Sequence, residues 1–170
     1  MGGALRPEDA DIVFEAVAAN TRFRIAKVVW CSPVERHDGC LVQLTQDPVG
    51  ITPLPLAPSL PVVDADARVY VIGYHGSGGL QFSFQDNALL DHEGPPDGKP
   101  AHGDVYRVHY RAPTEKGSSG SPVFNRSRWE VIALHYAGGT MSRLNGSPGT
   151  YPANEGIAMH SIAAVMNAQA

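Results

Sequence analysis

Residues 115 to 125 read E-K-G-S-S-G-S-P-V-F-N, and the six central residues have the composition that acyl-transfer chemistry asks for. A serine hydroxyl is a poor nucleophile at neutral pH, so it needs a base beside it and main-chain donors aimed at the developing oxyanion. Gly117 has no side chain and lets the loop curl so that its own N–H and that of Ser119 point into one space. Gly120 relieves crowding behind Ser119, and Pro122 opens the following strand. Two readings of the segment stand side by side: Ser119 as a nucleophile, and a Gly/Ser turn leading into a strand.

The elements that must position this loop read as strands. With Gly 18 and Pro 14, the chain is punctuated too often for long helices, and the short apolar stretches between are rich in Val, Ile, Tyr and Phe. Expected strands are Asp11 to Val17, Phe23 to Trp30, Leu41 to Thr45, Arg68 to Ile72, Leu80 to Phe84, Val105 to Tyr110, Pro122 to Phe124, Val131 to Tyr136 and Gly156 to Met159. Only the C-terminal H-S-I-A-A-V-M-N-A-Q-A, with Ile162, Val165 and Met166 at helical spacing, predicts a helix. Between Pro53 and Pro61 the run P-L-P-L-A-P-S-L-P denies the donors a central strand needs, so it reads as an extended crossover. The part before it holds about three strands, too few to close a barrel.

Composition removes several functional classes. The 13 basic and 17 acidic residues give a net charge of −4 without a basic run, so neither nucleic acid nor an anionic membrane is an expected partner. No apolar stretch is long enough to span a bilayer. The first twenty residues carry Arg6, Glu8, Asp9, Asp11 and Glu15; the chain as given therefore shows no secretory leader, and a cytoplasmic location is the expectation. Cys31 and Cys40 are read as two reduced thiols in preference to a disulfide. None of the 7 histidines falls at metal-ligand spacing, and no metal is expected.

G-S-S-G-S-P-V-F-N followed by V-I-A-L-H-Y-A-G-G resembles the trypsin-like (chymotrypsin-fold) serine peptidases, most of all the bacterial glutamyl endopeptidase branch. H-D-G-C-L-V-Q-L resembles the strand that carries that family's triad aspartate. The resemblance implies an all-β, chymotrypsin-like double β-barrel: residues 1–52 as the remnant of an incomplete first barrel, 53–61 as the crossover, and 62–170 as the second barrel with a short C-terminal helix. It implies a polypeptide substrate, no cofactor, Ser119 as nucleophile, Asp38 as the carboxylate that orients the imidazole, and the amides of Gly117 and Ser119 as the oxyanion hole. His135, Thr114 and Gly138 match the pocket with which glutamyl endopeptidases hold an acidic P1 side chain. Glu115 and Lys116 depart from the small residues usual there.

The base is the gap. The family carries its histidine ahead of the aspartate, and here the first histidine is His37, adjacent to Asp38, expected to face away from it as strand neighbours do. His75, His92, His102, His109 and His160 all follow Asp38 and read as loop or surface residues. The expectation is a serine endopeptidase whose remaining first barrel lies upstream of Met1 or on a partner. The alternatives are a catalytically dead peptidase fold used as a binding module, and an esterase of α/β type, against which the lack of alternating strands and helices argues. N-E-G-I-A-M-H-S-I resembles the ending of trypsin-like domains in large bacterial multidomain proteins, implying neighbouring domains; Asn154 and Glu155 are expected to hydrogen-bond a neighbouring loop.

Overall fold

A computed structural model describes residues 6, 9–75, 79–95, 98–101 and 103–168. Its contacts divide the chain into two compact units, residues 1–53 and 54–170. Both are antiparallel β structure, and among the described residues no helix is long and apolar enough to cross a membrane.

The first unit is a three-stranded sheet in the order β1-β2-β3, built from β1 (Asp11–Val13), β2 (Arg22–Cys31) and β3 (Cys40–Leu44). Along β2, Phe23 and Ile25 are buried while Arg22 and Arg24 face solvent, the alternation of a half-buried strand. Phe14 meets Phe23 edge-on with ring centroids 5.5 Å apart. The strand expected from Asp11 to Val17 stops at Val13, because Glu15–Ala18 (E-A-V-A) forms one turn of helix, α1. Glu and Ala are strong helix formers, and Val17, which suggested a strand, is exposed instead of paired.

The expectation of two reduced thiols is overturned: Cys31 and Cys40 are disulfide-bonded. They lie directly opposite one another in the β2–β3 register, Cα atoms 4.2 Å apart. Sequence spacing could not fix that register, since two irregularities, Ile25/Lys27 and Val28/Trp30, shift it along β2.

The second unit contains β4 (Val69–Tyr74), β5 (Leu80–Phe82), β6 (Ala88–His92), β7 (Arg107–Arg111), β8 (Pro122–Asn125), β9 (Val131–Ser142), β10 (Thr150–Ala158) and α2 (Met159–Asn167). The strand order is β5-β4-β8-β9-β10-β7-β6. β5 and β6 stand at opposite ends of this order yet follow one another in the chain. Leu89 N–H donates to Ala67 O at 3.0 Å, and the Asn87 side-chain amide donates to Val69 O; the sheet closes on itself as a barrel. Val69, Val108, Tyr110, Val123 and Ala133, all fully buried, fill its interior, each large aliphatic side chain contributing about 1.5–3 kcal/mol by leaving water.

Three elements differ from expectation. β6, A-L-L-D-H, went unrecognised because it ends in Asp91 and His92, polar residues that are in fact buried and hydrogen-bonded. β10 starts at Thr150, well before Gly156, despite Pro152, a residue that argues against a paired strand. The proline-rich segment docks on β9: Ala57 N–H donates to Val131 O and Val131 N–H to Pro55 O, burying Ala57 and Leu60. Helix α2 occupies the predicted place, with Met159 and Ile162 buried.

Candidate active site

The serine loop spans the gap between β7 and β8 and is closed by local hydrogen bonds. Ser118 N–H donates to Glu115 O at 3.0 Å while Glu115 N–H donates to Ser118 Oγ at 3.1 Å, and Ser118 is only 1% exposed. Gly117 and Gly120 adopt φ of +101° and +84°, the left-handed region that side chains disfavour, which is why both must be glycine. Downstream, Gly120 N–H donates to His135 O and His135 N–H to Ser121 O, each at 2.8 Å. These bonds carry the β8–β9 ladder up into the loop.

Ser121 is seated against β4. A Cβ built on Gly73 would collide with the Ser121 hydroxyl and lie 2.8 Å from the Ser121 Cβ, so only glycine lets the loop approach this strand. Gly73→Ala is therefore expected to destabilise the chain by about 1–3 kcal/mol, the usual cost of overpacking. Pairing it with Ser121→Gly should recover most of the loss in urea titrations; a double variant as unstable as the sum of the singles would show that the two residues do not touch.

Held at both ends, the loop leaves Ser119 exposed with Oγ 3.4 Å from Tyr136 O. The amides of Ser118, Gly120 and Ser121 are spent on carbonyls. Among the described residues, those of Gly117 and Ser119 donate to no backbone carbonyl.

Beside the loop, the expected pocket residues converge on two residues that sequence reasoning left out of the site, Tyr110 and Asn154. His135 is buried on β9, and its Nδ1 lies 2.6 Å from the Tyr110 hydroxyl. Burial holds the Tyr110 phenol far above its ordinary value, neutral, and pushes the His135 imidazole below 6.5, so the ring is uncharged at neutral pH. Thr114 Oγ1 donates to Asn154 Oδ1 at 3.0 Å, and Asn154 Nδ2 donates to Ala112 O at 2.7 Å. Gly138 pairs with Asn154 across β9–β10, and a Cβ at Gly138 would sit 2.7 Å from Asn154 Oδ1. Tyr110 and Asn154 are themselves partners in the β7–β10 ladder. The N-E-G-I segment carried the available signal for Asn154; nothing in the sequence singled out Tyr110. Glu115 and Lys116 are exposed.

Asp38 lies in the first unit, exposed, in the turn before β3 and not on the strand expected for it, with φ of +44° and its N–H donating to Pro33 O at 3.2 Å. His37 turns inward. It is 2% exposed, packs edge-on to Trp30, and has Nδ1 3.5 Å from Ser32 Oγ. The reading of the later histidines as loop or surface residues is corrected for two of them. His92 on β6 has Nδ1 2.9 Å from Glu93 O, and His109 on β7 is held between Tyr151 Oη at 2.8 Å and Glu155 at 3.0 Å. Both are buried; both ring nitrogens of His109 are engaged by β10 residues, whereas His92 uses Nδ1 alone and its Nε2 is buried without a partner. His102 lies outside the described residues.

Buried His135 and half-buried His160 carry a pH consequence. His135 and His160 are both held below the ordinary 6.5, by burial first and for His160 also by the nearby His92. The unfolded chain then binds more protons below that value, so their contribution to stability is complete above about pH 6.5 and is lost as pH falls through the lowered folded values. Glu93, raised above 4.5 chiefly by burial, has the opposite sign: its penalty is relieved as pH falls towards 4.5. The urea midpoint is expected to decline as the solution is acidified from neutrality through about pH 6.5; a midpoint that rises over that step would contradict the desolvation of these rings.

The profile of the trypsin-like peptidase domain family matches residues 3–134, a span that includes both Asp38 and Ser119 and stops one residue short of His135. No curated protein and no solved structure matches the chain significantly. An antiparallel β architecture with a closed second barrel, a G-S-S-G-S-P loop leading into β8, and a profile match over most of the sequence agree, and the chain belongs to the trypsin-like peptidase domain family.

Proposed function

We propose that the chain is the larger part of a serine endopeptidase domain that works through an acyl-enzyme on Ser119. One observation carries this reading: an exposed Ser119 hydroxyl sits on a loop whose Gly117 and Ser119 amides, among the described residues, are left without backbone acceptors. In this reading Oγ attacks the scissile carbonyl carbon as an imidazole removes its proton, and the two amides receive the negative charge that moves onto the carbonyl oxygen. The same imidazole then protonates the leaving amine, and water releases the acyl group by the reverse sequence. Asp38 is the carboxylate that orients the ring. The imidazole itself comes from outside these 170 residues, since His37, the only histidine ahead of Asp38, is turned into its own unit.

An acidic P1 side chain is the substrate preference we infer. Among the described residues His135 Nε2 has no hydrogen-bond partner while Nδ1 is engaged by Tyr110, so the neutral ring can offer an Nε2–H to a carboxylate, and its protonation at lower pH would strengthen the contact. Acylation of Ser119 by p-nitrophenyl esters of N-acylated Glu, Arg and Leu tests the point. Glu should react fastest, and a clear preference for Arg or Leu removes His135 from the pocket.

The buried position of His37 equally favours a second reading, a catalytically dead peptidase fold that binds polypeptides without cutting them. Covalent capture at Ser119 separates the two.

A further inference from the structure

On the outer surface of the second unit, away from any role in the chemistry above, four aromatic rings form a continuous row. Phe82 and Phe84 stack with centroids 5.7 Å apart, Phe84 meets Tyr70 edge-on at 5.7 Å, and Tyr70 stacks on Trp129 at 5.2 Å. Phe82, Phe84 and Trp129 are 50%, 65% and 48% exposed. Such rings gain stability by leaving water, and a contiguous exposed group of them marks a contact surface.

The row borders a cleft of about 350 Å³ lined by Arg68, Tyr70, Phe84, Asp86, Asn87 and Arg126. Its electrostatics are one-sided. Asp86 is matched by Arg111 at 3.3 Å, while Arg126 and the neighbouring Arg128 make no side-chain ion pair among the described residues. Arg68 turns one nitrogen to the Ala65 and Ala67 carbonyls and has no carboxylate partner among them. The cleft thus presents uncompensated positive charge on a chain whose net charge is −4.

Its wall also holds an unanswered acceptor. Asn87 is 8% exposed, and its Nδ2 donates to both Val69 O and Ser83 O, which fixes the orientation of the amide. Its Oδ1 is buried with no donor.

We propose that this face is an exosite for an acidic polypeptide segment carrying aromatic or proline side chains. The rings of Phe84 and Trp129 stack the partner's flat side chains, and Arg68, Arg126 and Arg128 receive its carboxylates. Trp, Tyr and Arg are the residue types that dominate binding energy at protein–protein contacts. Closely spaced phosphates fit less well than separated carboxylates: Asp86 shares the cleft, and Asp64 and Asp66 line the hollow on the other side of Arg68 and Arg126.

The test is isothermal titration of the full chain with a synthetic dodecapeptide alternating glutamate with tyrosine and proline, alongside amide NMR shifts. Saturable binding is expected, with shifts centred on residues 68–70, 84–87 and 126–129. It should weaken about tenfold in each of Trp129→Ala and Arg126→Ala, the size expected of a contact residue, and comparably when glutamine replaces glutamate in the peptide. Both substituted positions are exposed, and unchanged thermal unfolding of the variants establishes that the loss is one of contact. Absence of saturable binding, equal affinity for the glutamine peptide, indifference to both substitutions, tighter binding of oligouridylate, or a concentration-dependent dimer abolished by Trp129→Ala would each overturn the proposal. Ser119→Ala should bind the peptide as the parent does, so the outcome is independent of the serine chemistry.

Discussion

Purified alone, the chain is expected to hydrolyse peptide amides about a millionfold more slowly than a trypsin-like enzyme with its imidazole in place, the measured scale of losing the base in a serine protease. Only the two loop amides and substrate binding would remain, and these leave a residual acceleration of roughly a thousand- to ten-thousandfold over water. His37 cannot serve as the base. Its ring is 2% exposed, faces Trp30, and has Nδ1 3.5 Å from Ser32 Oγ, so moving it to a reacting serine would empty the interior of its own sheet. Casein hydrolysis followed by release of new amines is the check, and hydrolysis at an ordinary protease rate that disappears in Ser119→Ala would contradict the expectation.

Tyr110 carries the largest expected effect on stability. It is fully buried, lies in the barrel core, and is the hydrogen-bond partner of His135 at 2.6 Å. Tyr110→Ala removes an aromatic side chain from a closed interior and should cost about 3–5 kcal/mol, a large part of the 5–15 kcal/mol by which domains are commonly stable. Tyr110→Phe is more informative. It keeps the ring but leaves His135 Nδ1 facing an apolar edge, at about 1–3 kcal/mol for a buried polar atom without a partner. Urea midpoints give the first quantity, and the ring ¹⁵N shifts of His135 show whether the tautomer is released in the Phe variant. Stability and tautomer both unchanged in Tyr110→Phe would mean that the hydroxyl does not position the imidazole.

The parts of this molecule that sequence could convey are those governed by local rules. Gly117, Gly120 and Pro122 announce a loop turning into a strand, because positive φ and a missing amide hydrogen are properties of single residues, and β8 begins where Pro122 stands. Alternation exposed β2, and helical spacing exposed α2. What stayed hidden depends on partners distant in the chain. His109, inside a strand that was expected, can be buried because Tyr151 and Glu155 arrive beside it, and Asp91 can be buried because it accepts the amides of Leu144 and Asn145. The disulfide depended on a register set by two irregularities in β2. Within the candidate site, His135 and Gly138 were proposed from the V-I-A-L-H-Y-A-G-G segment and Thr114 from its place five residues before Ser119. Tyr110 and Asn154, which tie those residues together, were not, since their roles come from the β7–β10 pairing.

The most direct measurement is the position at which a fluorophosphonate attaches to the chain, mapped by peptide mass spectrometry with and without added imidazole. An adduct confined to Ser119, formed faster when imidazole supplies the base, and absent in Ser119→Ala is the predicted result. Attachment at Ser118 or Ser121, or labelling that persists unchanged in Ser119→Ala, would contradict a loop built to activate the Ser119 hydroxyl.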